Sequence, residues 1–224
     1  MSKILGLVLA AMLVMALVGG ATFAAFSDTE TSTSNTMSVG TLDLRTAPDI
    51  GGTYGNGGTV TFTASGLKPD DAVITTGHLA LKNTGSLNAS ILKVATGAVS
   101  ASLTAAGSAV ATGDLPGGDP TAAYLSANTR IALFVDMDDS GTWSATDIGL
   151  KVVTGTATVY TNGGSDTLVY DTFDNMDGLT WTTGTTLNAG IEKVVYAKAY
   201  LPTAADNRAQ GTQLSIDLTF EIDQ

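Results

Sequence analysis

Leu214-Ser215-Ile216-Asp217-Leu218-Thr219-Phe220-Glu221-Ile222 is the stretch that decides the fold class. Leu214, Ile216, Leu218, Phe220 and Ile222 share one side of an extended chain, with Ser215, Asp217, Thr219 and Glu221 on the other. A strict period of two is the pattern of a strand with one face in the core and one in water. Further strand-like runs lie upstream at 37–44, 59–64, 72–82, 89–94, 131–135, 150–160, 167–170 and 191–201. Gly-rich punctuation separates them, at Gly51-Gly52, Gly55-Asn56-Gly57-Gly58, Gly117-Gly118 and Asn162-Gly163-Gly164. Short helices are expected only in connections, within 99–112 and 120–126. Many short strands without a βαβ rhythm predict an all-β chain, a jelly-roll-like antiparallel β-sandwich with short helices in its loops.

Composition narrows the chemistry. The chain has 224 residues, of which 44% are hydrophobic and 14% charged, enough for a substantial core. Ten basic against 21 acidic residues leave a net charge of −11. Nucleic acid and anionic membrane surfaces require a basic footprint, so neither is expected as a partner. The absence of Cys removes thiol catalysis, disulfides and thiolate metal sites. The single His removes any HExxH zinc centre, which needs two.

The N-terminus reads as an export segment. Lys3 precedes an apolar run over 4–18, followed by Gly19-Gly20-Ala21-Thr22-Phe23-Ala24 with small residues suited to cleavage after Ala24. Left uncleaved, the segment would act as a membrane anchor, the only membrane contact expected. Residues 1–24 are therefore assigned to a secretory signal peptide, 25–36 to an extended N-terminal arm and 37–224 to the β-sandwich domain. The arm has one large apolar side chain, Phe26, among hydroxyl and acidic residues, and it cannot fold alone. Ala25, Phe26, Ser27, Asp28, Thr29, Glu30 and Thr31 can instead add as a strand to a sheet edge of another copy, with Phe26 against that copy's core. Such a head-to-tail contact propagates into an open filament.

Three blocks carry a family resemblance. Residues 19–32, GGATFAAFSDTETS, followed by Val39-Gly40-Thr41-Leu42-Asp43-Leu44, resemble the start of the TasA/camelysin family. Gly66-Leu67-Lys68-Pro69-Asp70-Asp71 with Leu79-Ala80-Leu81-Lys82-Asn83-Thr84-Gly85-Ser86-Leu87 is similar to its LKPGD…LKNxG region, and 210–220 to its closing strand. Residues 99–189 carry no family motif. The resemblance implies a jelly-roll subunit of extracellular fibres, of bacterial biofilm matrix and archaeal bundling pili, joined by donor-strand exchange. It also implies a dedicated signal peptidase that releases a chain beginning Ala-Phe or Ala-Tyr. Part of that family carries a metallopeptidase label, whose chemistry this sequence lacks.

One local pattern stands apart. Asp136-Met137-Asp138-Asp139-Ser140-Gly141-Thr142-Trp143-Ser144-Ala145-Thr146-Asp147 overlays the twelve-residue calcium loop. Asp136, Asp138, Ser140, Ser144 and Asp147 fall at positions 1, 3, 5, 9 and 12, the Thr142 carbonyl at 7 and Gly141 at the sharp turn. The plain alternative is a solvated acidic turn. Asp171, Asp174 and Asp177 form a second acidic group whose spacing favours a turn over a metal site. His78 reads as a strand residue, Trp143 and Trp181 as packing aromatics, and Asn88-Ala89-Ser90 as a glycosylation sequon.

The functional expectation is a secreted, non-enzymatic homopolymer subunit of surface or matrix filaments, with Ca2+ as a structural ion. The alternatives are a secreted camelysin-like peptidase or other hydrolase, and a monomeric calcium-binding surface module.

Overall fold

A computed structural model describes residues 2–24, 40–56, 59–69, 74–103, 122–161, 167–205 and 212–224. It divides into two units, Met1–Val39 and Gly40–Gln224. The first holds helix α1, Ser2–Ala24, an apolar segment with neither an acidic residue in its first turn nor a basic one in its last. The arm, from Ala25, Phe26, Ser27, Asp28, Thr29, Glu30 and Thr31 onward to residue 36, lies outside the described residues.

The second unit is built from strands β1 (Leu44–Ala47), β2 (Thr59–Ser65), β3 (Ile74–Asn83), β4 (Ile91–Leu103), β5 (Arg130–Asp136) and β6 (Ile148–Val153). They are followed by β7 (Thr156–Thr161), β8 (Asp171–Thr172), β9 (Thr180–Thr182), β10 (Glu192–Tyr200) and β11 (Thr212–Asp223). Every strand pairing is antiparallel. The large sheet runs β1-β3-β10-β5-β6-β7, with β8 also paired to β5, and the small sheet runs β2-β11-β4-β9. The two sheets face each other as a sandwich. The large sheet sends Leu79, Leu81, Ile131, Leu133, Val135, Val195 and Ala197 into a core shared with Phe62, Ala64, Leu92, Val94 and the β11 side chains.

The alternation that predicted β11 is realised: Leu214, Ile216, Leu218 and Phe220 are buried, while Thr219 and Glu221 are exposed. On β4 the inward set changes parity. Leu92, Val94 and Thr96 are buried, then Val99 and Ala101 face the same core. The register against β11 jumps between Ile216 and Leu218, so Gly97 and Ala98 together oppose Asp217. This β-bulge keeps a thirteen-residue strand apolar-side-in along its whole length.

Several expectations need correction. The run 150–160 is not one strand but the β6–β7 hairpin, turned at Thr154 and Gly155 with φ of 52° and 75°. Two positive φ values in a two-residue loop match the twist of the flanking strands; Thr in place of the usual Asn hid the turn. Residues 99–103 continue β4 and are not helical, while 104–112 lie outside the described residues. The helix expected over 120–126 is present as Ala122–Asn128. Residues 40–43 and 167–170 are not strand, 37–39 and 72–73 lie outside the described residues, and the three residues of β9 carry too little periodicity to read from sequence.

Candidate functional site

The hairpin connection between β5 and β6 carries the most concentrated polar chemistry among the described residues. β5 enters as an uninterrupted buried run from Ile131 to Asp136, and its pairing with β6 closes at Val135–Ile148. The loop thus begins and ends on acidic side chains, Asp136 and Asp147, both fully buried. Backbone N–H groups fold around them. Asp136 Oδ2 accepts from Gly141 N at 2.8 Å, and its Oδ1 from Asp138 N and Ser140 N at 3.2 and 3.3 Å. Asp147 accepts from Met137 N at 2.8 Å and Ser144 N at 2.7 Å. Asp139 and Gly141 take left-handed backbone, φ 58° and 71°, which Asp tolerates and Gly adopts freely.

Asp136, Asp138 and Asp147 each offer a carboxylate oxygen within 4.8 Å of the others, and among the described residues no other such group of three forms. Burial pushes the Asp136 carboxyl above its ordinary range, opposed by the Gly141 N–H and reinforced by the Asp147 charge. The hydroxyls of Ser140 and Ser144 hold exposed Asp138 well below it.

The three remaining sequence-predicted ligands are placed differently. Ser140 Oγ donates to the Thr142 carbonyl at 2.8 Å, and Ser144 Oγ lies 2.9 Å from Thr146 Oγ1. Thr146, which the spacing did not single out, reaches Asp138 Oδ2 at 3.1 Å. Trp143 leaves the loop to lie edge-on to Phe134, with ring centroids 5.6 Å apart, and against Tyr160 at 5.5 Å. The second acidic group does not converge. Asp171 instead accepts from Thr172 N and Asn175 Nδ2 around a single helical turn, Phe173–Met176.

His78 lies 3.2 Å from Asp49 Oδ1 through Nε2 and packs against the Tyr196 ring at 5.4 Å. Asn88 is exposed, and its side-chain oxygen accepts from Ala189 N at 3.0 Å. Asn83, inside the segment LKNTG, is fully buried. Its Nδ2 donates to the carbonyls of Leu87 and Leu187 at 2.8 and 2.9 Å, and its Oδ1 accepts from Gly85 N at 3.0 Å and Asp43 N at 3.4 Å.

Residues 1–112 match the family described as camelysin metallo-endopeptidase. The chain belongs to the camelysin family. No curated protein matches it. The camelysin match covers helix α1, residues 25–39 and β1 to β4, and ends before the acidic loop at 136–147. A peptidase zinc centre takes imidazole and carboxylate donors around an open position. This camelysin-family chain has one imidazole, already beside Asp49, and no thiol. Its residues do not fit such a centre. The oxygen-only donors of the loop fit a hard cation such as Ca2+.

Proposed function

We propose that the chain is an extracellular structural subunit that polymerises head-to-tail by donor-strand complementation into surface or biofilm-matrix filaments. Family membership through residues 1–112 supports this reading together with the sequence of that stretch, which holds the expected export segment, the expected arm and strands β1 to β4, with a single imidazole. The antiparallel sandwich supports it further, since its sheets end in strands whose outer edges can accept an added segment. The partner is another copy of the chain, with signal peptidase acting once during export. The protein is not an enzyme in this reading. Ca2+ serves as a structural ion, held by Asp136, Asp138 and Asp147, with Ser140, Thr142 and Ser144 rearranging to complete its shell.

The test compares mature protein starting at Ala25 with a shortened form starting at Thr36, by electron microscopy and by casein cleavage. Filaments from the first alone, with no cleavage by either, are expected. A folded shortened chain that still makes filaments of normal length overturns donor-strand assembly. Casein cleavage that survives purification restores the hydrolase reading.

A further inference from the structure

The small sheet is shorter than the large one, and the contacts between them fix where it stops. At one end the Phe62 ring of β2 lies so close to β3 that a Cβ on Gly77 would sit 2.6 Å from it. At the other end Trp181 of β9 donates through Nε1 to the Lys151 carbonyl of β6 at 2.9 Å. The small sheet therefore covers β3 through β7, whose Ala157 and Val159 pack on the same core, and β1 projects beyond β2. Leu44 of β1, Leu42 just before it and Val60 of β2 pack on the core at this flank and are only half-buried. Among the described residues no strand lies beside β2 on its outer edge.

The four sheet ends differ in what they offer. β1 is four residues long, and Gly55 already exchanges backbone bonds with Thr46 at 3.1 and 3.0 Å. β9 has three residues. Beside β7, the Tyr160 hydroxyl accepts from Val169 N at 2.7 Å, which brings the returning chain against that strand. β2 is the exception. Its seven residues, TVTFTAS, pair with β11 without a bulge and contain no charge and no Pro, the devices that ordinarily block an edge.

We infer that the outer edge of β2 is the acceptor for the arm of a second copy, which would lie facing β1 and cover Leu44 and Val60. This rests on the filament reading above. Pairing along seven residues needs about 23 Å of extended chain. Residues 25–39, between helix α1 and Gly40, supply that length and leave several residues to bridge back to their own domain. Period two sets the arm's orientation. With Asp28 and Glu30 toward water, such a pairing would turn Ser27, Thr29 and Thr31 toward Leu44 and Val60.

The chain has no native Cys, so engineered pairs report neighbours without interference. Asp28→Cys or Glu30→Cys in one mature protein is mixed with Thr61→Cys or Thr63→Cys in another, assembled and oxidised. The comparison pairs the same arm variants with Thr158→Cys on β7. The expected result is a reducible dimer band for at least one β2 pair and none for Thr158→Cys, with each variant's melting temperature unchanged. Filaments that crosslink through Thr158 alone, or through no β2 pair, overturn the edge assignment while the filament reading stands. A double variant, such as Glu30→Cys with Thr61→Cys, that closes only within one chain shows the arm folding onto its own domain and overturns it too. Absence of filaments from unmodified mature protein overturns both.

Discussion

Asp136 and Asp147, eleven residues apart in sequence, are both fully buried and place carboxylate oxygens within 4.8 Å of each other. Each is satisfied by backbone N–H groups from the loop between them. The result is a loop folded tightly around concentrated negative charge, a costly arrangement that a cation would relieve if it bound there.

Millimolar Ca2+ should therefore raise the melting temperature of the mature protein. A ligand at a hundredfold excess over its Kd adds about 2.7 kcal/mol to the native state. For a domain of this size that is a rise of about 5–10 °C. Asp136→Ala combined with Asp138→Ala should abolish the calcium-dependent part. Scanning calorimetry with Ca2+ and with chelator decides it; identical wild-type melting in both rules out the site.

Asn83→Ala should be among the most damaging single changes. It strips two carbonyls and two N–H groups of their buried partner, joining segments near 43, 85 and 187. The expected loss is about 3 kcal/mol, read as a fall of roughly 6–12 °C in thermal unfolding. A change within 1 °C would show that water replaces the amide at no cost.

Gly77→Ala should destabilise through overpacking, since its new Cβ meets the Phe62 ring. Such a clash in a packed core costs about 1–3 kcal/mol. Adding Phe62→Leu should recover part of the loss, a coupling that a denaturant-based double-mutant cycle measures directly. Strict additivity of the two changes would place the ring elsewhere.

Lys82 and Glu192 form a partly buried ion pair at 2.8 Å, and Gly51 N donates to the other Glu192 oxygen at 3.1 Å. The Lys82 ammonium holds Glu192 below its ordinary value of 4.5. A depressed acid contributes stability that is complete above the unfolded value and disappears as pH falls through the folded one. Glu192→Gln should thus lower stability at pH 7 and flatten the decline below about pH 4.5. Parallel unfolding curves for the two proteins between pH 3 and 6 would contradict the pairing.

What was legible in the sequence tracked the length of each periodic run. β11, with five apolar residues in register, and β5, a short continuous apolar run, stand where their patterns put them. The 150–160 hairpin was hidden because Thr154 occupies a left-handed position that sequence normally marks with Asn or Gly. The loop at 136–147 was readable because acidic residues at alternate positions must converge when Gly141 turns the chain. Thr146 escaped because its role depends on the loop's closure, which spacing does not encode. Asn83 stands in the segment LKNTG, yet two of its four hydrogen bonds, to Asp43 and Leu187, depend on segments distant in sequence. The parity change at Gly97 was likewise invisible, since it exists only relative to β11.

That parity change makes β4 an uneven mutational target. Substitutions along its inward row alter one contact at a time. Losing a single codon at residue 97 or 98 would instead remove the bulge and leave a regular period of two, with Val99 and Ala101 still opposite Ile216 and Leu214 and facing the core. Losing both would turn Val99 and Ala101 outward and Ser100 and Ser102 toward the core. A one-codon loss at the bulge would therefore be better tolerated than a two-codon loss.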